Sequence, residues 1–246
     1  MKIAIATQNN DFCKSLIALY LQESEVRPSL IIFEETGFSG YFKQIRARYR
    51  RYGVLKTIDM CLYYAFMALR PKKEFMHEAY KNDHIPTIST KSLNTREISQ
   101  RLLRDETDLV ILISTGLVDE SFMASCKSGA VNIHPGINPL YRGAGGNFWA
   151  LYYSDWENVG VTVHSVERKI DAGSIYYQER ISVPIGSSLE DIQYTSYCAG
   201  IKGICRLLNH NQLRLLDIKK TGKDQLFGYY GLTKYLKVIR NLKKRQ

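Results

Sequence analysis

Leu109-Val110-Ile111-Leu112-Ile113, a helical stretch near Ser121–Cys126, then Ala130-Val131-Asn132-Ile133-His134-Pro135-Gly136: the order of these pieces decides the fold. Five aliphatic residues without a polar member mark a strand buried on both faces. A second strand follows after a single helical stretch, which implies a crossover unit with parallel strands. The same alternation extends outward. Lys2–Thr7 reads as a strand, and Asp11–Leu21 shows helical spacing through Phe12, Leu16, Leu19 and Tyr20. Leu30–Phe33 and Ile85–Ile88 read as strands and Arg96–Arg104 as a helix. The expected fold is α/β, a mostly parallel sheet flanked by helices. Such sheets bind ligands at the carboxyl ends of their strands. That rule aligns Asn9 and Asn10, Ser114–Val118 and Asn132–Gly136 along one edge.

Beyond Pro135 the chain changes character. Gly136 to Gly146 is too rich in glycine to be core, and two strands, Gly160–Val166 and Ser174–Ile181, flank the turn Asp171-Ala172-Gly173. A helix over Leu189–Leu208, a short strand near Leu213–Leu216 and a basic helix from Leu232 complete the pattern. Between the second and third strands lies an insertion, about 38–83. There Leu55, Ile58, Leu62, Phe66 and Leu69 recur at helical spacing, so it reads as an amphipathic helix pair. The expected organisation is a catalytic unit over 1–185 and a helix/strand/helix extension over 186–246.

The chain has 246 residues, 45% hydrophobic and 24% charged, the composition of an ordinary globular protein. No apolar run approaches the roughly 20 residues that a membrane span requires. The start, Met1 to Thr7, reads as a strand and not as a secretory signal. Five scattered cysteines without a Cys-x-x-Cys pair argue against a disulfide framework or a zinc site. A cytoplasmic protein without a structural metal is expected. The net charge of +10 is concentrated. Lys43, Arg46, Arg48, Arg50, Arg51 and Lys56 form one stretch without acids, and Lys234, Lys237, Arg240, Lys243, Lys244 and Arg245 another. These stretches fit an anionic partner, whether nucleotide, nucleic acid or lipid headgroup, or else solvated helix faces. The apolar face of the insertion fits a cap on the sheet, a contact with a membrane surface or a homodimer interface.

Strand alternation sets Asn132 and His134 on one face, and Pro135 ends the strand just beyond the imidazole. Asp171 lies 37 residues further on, in a turn. A carboxamide, an imidazole and a carboxylate together suit acyl transfer to an amine. The amide donates to a developing oxyanion, the imidazole takes a proton, and the carboxylate sets the imidazole's charge state and orientation. No Gly-x-Ser-x-Gly motif is present and no cysteine lies in these loops, so no covalent nucleophile is advertised. Each residue alone reads more simply as a structural histidine or a turn aspartate.

Taken together, Asn-Ile-His-Pro, the Tyr141-Arg142-Gly143 loop, Gly-Val-Thr-Val-His at 160–164 and Asp-Ala-Gly-x-Ile at 171–175 resemble the folate-dependent formyltransferase family. The resemblance runs from about Leu109 to Ile181. It implies a Rossmann-like domain, 10-formyltetrahydrofolate as formyl donor, and Asn132, His134 and Asp171 as the catalytic residues. It also places Thr115, Gly116, Leu117, Val118 and Ile170 around the pterin. No glycine-rich phosphate cradle follows the first strand, which reads Thr7-Gln8-Asn9-Asn10, so a purine-pathway role is disfavoured. The acceptor expected is a nucleotide-linked amino sugar, with Asn9, Asn10, Tyr141 and Arg142 as its contacts. Transfer to methionyl-tRNA, hydrolysis of the folate, a metal-dependent hydrolase on His134, His164 and Asp171, and a non-catalytic binder are the alternatives.

Overall fold

The computed structural model describes residues 1–35, 38–71, 84–213, 216 and 224–245. In chain order its elements begin with β1 (Ile3–Gln8), α1 (Asp11–Glu23), β2 (Leu30–Glu34), α2 (Phe38–Ala68), β3 (Thr87–Thr90), α3 (Arg96–Arg104), β4 (Leu109–Ile113) and α4 (Glu120–Ala124). They continue with β5 (Ala130–His134), β6 (Arg142–Gly143), α5 (Gly146–Tyr152), β7 (Gly160–Ser165), β8 (Ile175–Arg180), α6 (Leu189–Asn209), β9 (Leu226–Phe227) and α7 (Leu232–Lys244).

One sheet of seven strands runs β3-β2-β1-β4-β5-β7-β8. The first five are parallel to their neighbours, while β5–β7 and β7–β8 are antiparallel. Strand order reverses between β1 and β4, so the crevice of an open α/β sheet opens at their carboxyl ends. Period-two alternation divides the core into two layers. Ile3, Ile5, Ile111, Val131 and Ile133 pack with Leu16, Ile17, Ile201 and Ile204 of α1 and α6. Ala4, Ala6, Val110, Leu112 and Ala130 pack with Ile98, Leu102 and Phe122 of α3 and α4. Asn132 and His134 follow Ala130 along this second face. The helix over 189–208 thus joins the main core, and the α/β class read from the sequence is the fold observed.

β3 begins two residues later than its apolar run. Ile85 is buried as a core residue, and Pro86 has no N–H for the ladder but accepts from Ile31 N at 2.9 Å. The insertion contains the single span α2, broken at Gly53, whose φ of 78° only glycine adopts readily. Residues 72–83 of it lie outside the described residues. The strand expected near Leu213–Leu216 falls partly on 214–215, also outside them. Leu216 N donates to Ile175 O at 2.7 Å, and the strand of the C-terminal segment is β9, paired with β6.

A third core is largely aromatic. Tyr141, Phe148, Trp149, Phe227 and Tyr235 pack with Leu189, Ile192 and Val238, uniting α5, α6, β9 and α7. Helix α7 starts at Gly231, which has no side chain to cap it. Asp59 of α2 does so instead, accepting from Thr233 N at 3.0 Å and Thr233 Oγ1 at 2.9 Å. Outside these contacts Leu55, Ile58 and Leu62 of α2, and Leu69 just after it, are exposed. No helix among the described residues is long and apolar enough to cross a membrane.

Candidate active site

Three elements bring the site together. β5 supplies Asn132 and His134, β7 supplies His164 opposite Asn132 in antiparallel register, and the β7–β8 turn supplies Asp171. Asp171 has a φ of 47°, a left-handed conformation that aspartate tolerates better than most residues. The turn is closed by Gly173, where a Cβ would run into the Ser165 carbonyl. Asn138 Nδ2 donates to Asp171 O at 2.9 Å, and Gly143 N donates to Asp171 Oδ2 at 2.9 Å. The carboxylate is therefore held from both its backbone and its side chain.

His134 is almost fully buried, and its Nε2 lies 2.8 Å from the Tyr141 carbonyl. A carbonyl only accepts, so Nε2 carries the proton and Nδ1 turns toward Asp171 Oδ2 at 3.5 Å. Gly136 makes this approach feasible, since a Cβ there would sit 2.7 Å from His134 Nε2. His164 is oriented in the same way, with Nδ1 donating to Ser165 O at 2.8 Å. Its Nε2 is left 3.4 Å from both Asp171 Oδ1 and Asn132 Nδ2. Asn132 Nδ2 in turn lies 3.4 Å from Asp171 Oδ1.

Burial lowers the pKa of His134 by more than the Asp171 charge raises it, so the ring is neutral at neutral pH. Burial would raise Asp171, but His134, His164 and the Gly143 N–H outweigh it and hold the carboxyl well below its ordinary range. A neutral Nδ1 beside a firmly ionised carboxylate is a base whose conjugate acid has its counter-ion in place. The site can take a proton from a nucleophile without water. Among the described residues, no group of three or more His, Cys, Asp or Glu is arranged to hold a metal ion.

These side chains line a cleft of about 960 Å³. One wall is the loop after β4, Ser114 to Asp119. Glu34 fixes it by accepting from Gly116 N at 3.1 Å and Leu93 N at 3.3 Å. Asn94 donates to Leu117 O and accepts from Asp119 N, both at 2.8 Å. The Leu117 side chain, 69% exposed, remains as an apolar face on the cleft. The cleft is also lined by Tyr52 and Lys56 of α2, Trp149 of α5, Phe227 of β9, Gly228 after it, and Lys234 of α7.

A profile described as formyl transferase matches residues 62–207, more than half of the chain. The chain belongs to the formyl transferase family. Methionyl-tRNA formyltransferase of Thermotoga maritima is 29% identical over 143 residues, 58% of this chain and 43% of that protein. Its counterpart in Staphylococcus aureus is 32% identical over 100 residues, 40% of this chain and 32% of that protein. The chain thus spans less than half the length of these curated relatives. Among solved structures, a phosphoribosylglycinamide formyltransferase from Anaplasma phagocytophilum has a TM-score of 0.57 at 21% identity, covering 93% of this chain and 98% of that one. A 4-N formyltransferase from Francisella tularensis has a TM-score of 0.58 at 14% identity, covering 98% and 87%. At these identities the likeness is one of fold.

Within this formyl transferase fold, Asn132, His134 and Asp171 converge, and Thr115, Gly116, Leu117, Val118 and Ile170 line the same cleft. The four residues expected to contact the acceptor do not line it. Asn10 caps α1 by accepting from Cys13 N at 2.8 Å, and Asn9 is exposed beside it. Tyr141 is buried, its hydroxyl donating to Asp155 at 2.7 Å, and its contribution to the site is its carbonyl. Arg142 is buried with Nε 2.7 Å from Asp224 Oδ1. The sequence placed His164 with His134 and Asp171 only as a candidate metal ligand, and Asn138, Trp149 and Gly228 were not read as part of the site. Only His164 left a signal, since it shares a strand face with Thr162 in an alternating run.

Proposed function

We propose that the chain transfers the formyl group of 10-formyltetrahydrofolate to the amino group of a nucleotide-linked amino sugar, with Asn132, His134 and Asp171 as catalytic residues. The observation that carries this reading is the neutral His134 Nδ1 facing Asp171 Oδ2 at 3.5 Å beside the Asn132 amide, at the wall of a cleft of about 960 Å³. The amine nitrogen attacks the formyl carbon, and the carbonyl electrons move onto oxygen. Asn132 Nδ2 donates to that oxyanion. His134 Nδ1 takes the proton the attacking nitrogen loses, and Asp171 stabilises the imidazolium. When the tetrahedral centre collapses, the bond to the folate N10 breaks and N10 takes the proton. The products are the N-formyl sugar and tetrahydrofolate.

The pinned 114–119 loop, with Leu117 exposed on the cleft, suits a flat heteroaromatic donor. The acceptor reading draws on the Francisella 4-N formyltransferase and a Shewanella sugar N-formyltransferase, each superposing on 98% of this chain. Asn10, by capping α1, occupies the place of a phosphate cradle, which supports the case against glycinamide ribonucleotide. Methionyl-tRNA is a second reading, favoured by the sequence relatives and the two basic stretches. A cytoplasmic location goes with either acceptor.

The test is incubation with 10-formyltetrahydrofolate and dTDP-, UDP- and GDP-linked amino sugars, or with initiator methionyl-tRNA. Tetrahydrofolate release is followed by absorbance, and the N-formyl mass gain by mass spectrometry. Turnover with a nucleotide sugar, abolished in His134→Ala, is the expected result. Turnover with tRNA alone would replace the acceptor. Formate release without any acceptor would replace transfer with hydrolysis.

A further inference from the structure

The loop after β5 holds both members of the His134–Asp171 pair with backbone atoms. Tyr141 O faces His134 Nε2 at 2.8 Å, and Gly143 N donates to Asp171 Oδ2 at 2.9 Å. Where that loop lies therefore decides how the imidazole and the carboxylate meet. Its outer edge is laid against residues 225–227. Gln225 N donates to Pro139 O at 3.3 Å, Arg142 N to Gln225 O at 3.2 Å and Ala144 N to Phe227 O at 3.1 Å. Gly143, with a φ of 90°, marks a close approach of the two backbones, since a Cβ there would collide with the Phe227 carbonyl.

The ladder between β6 and β9 is two residues long and contains a glycine, so by itself it specifies register weakly. The residue just before it supplies a further constraint. Asp224 Oδ1 lies 2.7 Å from Arg142 Nε, and Lys169 Nζ donates to Asp224 Oδ2 at 2.9 Å. Arg142 precedes Gly143, and Lys169 stands two residues before Asp171 in the β7–β8 turn. One carboxylate thus joins the strand that holds Asp171 Oδ2 to the turn that carries the Asp171 backbone. The two arms are unequal. Arg142 is buried, so its charge needs a counter-ion at this place. Lys169 is exposed and adds a weaker tie.

Resting on the catalytic reading above, we infer that Asp224 is a positioning residue for formyl transfer. It does not line the cleft, and it acts through Arg142 and Lys169. By drawing both to one carboxylate it fixes Gly143 N and the Asp171 turn relative to each other. With them it fixes the 3.5 Å approach of Asp171 Oδ2 to His134 Nδ1. The C-terminal segment is thereby part of the frame of the chemistry as well as a wall of the cleft.

The test compares the full wild-type chain with Asp224→Asn, Asp224→Glu and Lys169→Met. Two readouts are taken, steady-state transfer and titration of the His134 imidazole followed by NMR without substrate. Asp224→Asn should lower kcat about tenfold with both KM unchanged, short of the roughly hundredfold that a misplacement of about 1 Å can cost. Its His134 titration should move to lower pH, because the Asp171 charge, which raises it against burial and the facing His164, stands less close. Asp224→Glu keeps the charge and should retain most of kcat and the wild-type titration. Lys169→Met should move both readouts in the same direction by less. In an Asp171→Asn chain, Asp224→Asn should no longer move the titration. A shift of equal size there would overturn positioning in favour of a direct effect of the Asp224 charge. Wild-type kcat and titration in Asp224→Asn would overturn it too. If that variant does not fold, wild-type behaviour of Lys169→Met overturns it instead. Transfer itself is judged apart. Absence of turnover with every acceptor, alongside a shifted titration, would sink transfer and leave the positioning role. Turnover with kcat and titration unmoved would do the reverse.

Discussion

One wall of the cleft is a backbone loop, Ser114 to Asp119, pinned by Glu34 and Asn94. Another is a set of rings and lysines carried by α2, α5, β9 and α7. The first wall grows directly from a strand end of the sheet, so its position follows from β4 and from the crossover rule. The second depends on contacts between segments far apart in the chain, such as Asp59 with Thr233 and Arg142 with Asp224. The difference separates two tasks. The loop end offers a rigid, apolar surface with little freedom to vary. The helical end is assembled from an insertion and a C-terminal segment, which can change without disturbing the sheet, so it is where acceptor choice is expected to reside. Asn132 and His134 stand on the last parallel strand, and Asp171 joins them from the β7–β8 turn.

The largest expected effect is at the junction. His134→Ala should lower formyl transfer about 10²- to 10⁴-fold, the range for a positioned general base, and should also lower the melting temperature at neutral pH, because it leaves the buried Tyr141 carbonyl without its donor. A comparable loss from a variant at either end alone would break the division of labour. Next is the acid response. Folded His134 has a pKa below its unfolded value and Asp171 does too, so each gives stability that is complete above its unfolded pKa. That stability is lost as pH falls, first below about 6.5 for the histidine and then through the carboxylate range. Melting temperature measured against pH should fall in the acid, and His134→Ala should flatten its upper part.

Asp59→Ala probes the helical end alone. Loss of the cap on α7 should destabilise by about 1 kcal/mol. It should also raise the acceptor KM while leaving kcat and the donor KM unchanged. A shift in the donor KM instead would mean that the two ends are coupled. Smallest is Lys237→Met. Lys237 Nζ lies 3.8 Å from the centre of the Tyr152 ring but does not line the cleft, so about 0.5–1 kcal/mol of stability and no change in either KM is expected.

The same contrast governs what could be read from the sequence. β1, β4 and β5 are apolar runs whose burial requires a sheet, and Asn132 and His134 share a face by alternation alone. Asp171 was legible through its motif, because a turn aspartate has no periodic signature. β9 was not legible, being two residues long and paired with β6 more than eighty positions earlier. His164 needed the register that sets it opposite Asn132. Asn10 and Arg142 were read as ligand contacts from residue type. Their side chains instead meet needs of the fold, the orphan N–H groups of α1 and an ion pair beside β6.

The central claim is that His134 works as a neutral base backed by Asp171, and the pH profile of kcat/KM tests it most directly. The wild type should show one acid limb, below about 6.5, reporting protonation of His134. Asp171→Asn removes the negative charge that raises the histidine's pKa. Its profile should therefore have a much lower plateau and a limb displaced to still lower pH. A limb that stays in place, or moves up, would contradict the pairing of Asp171 with His134 on which the mechanism rests.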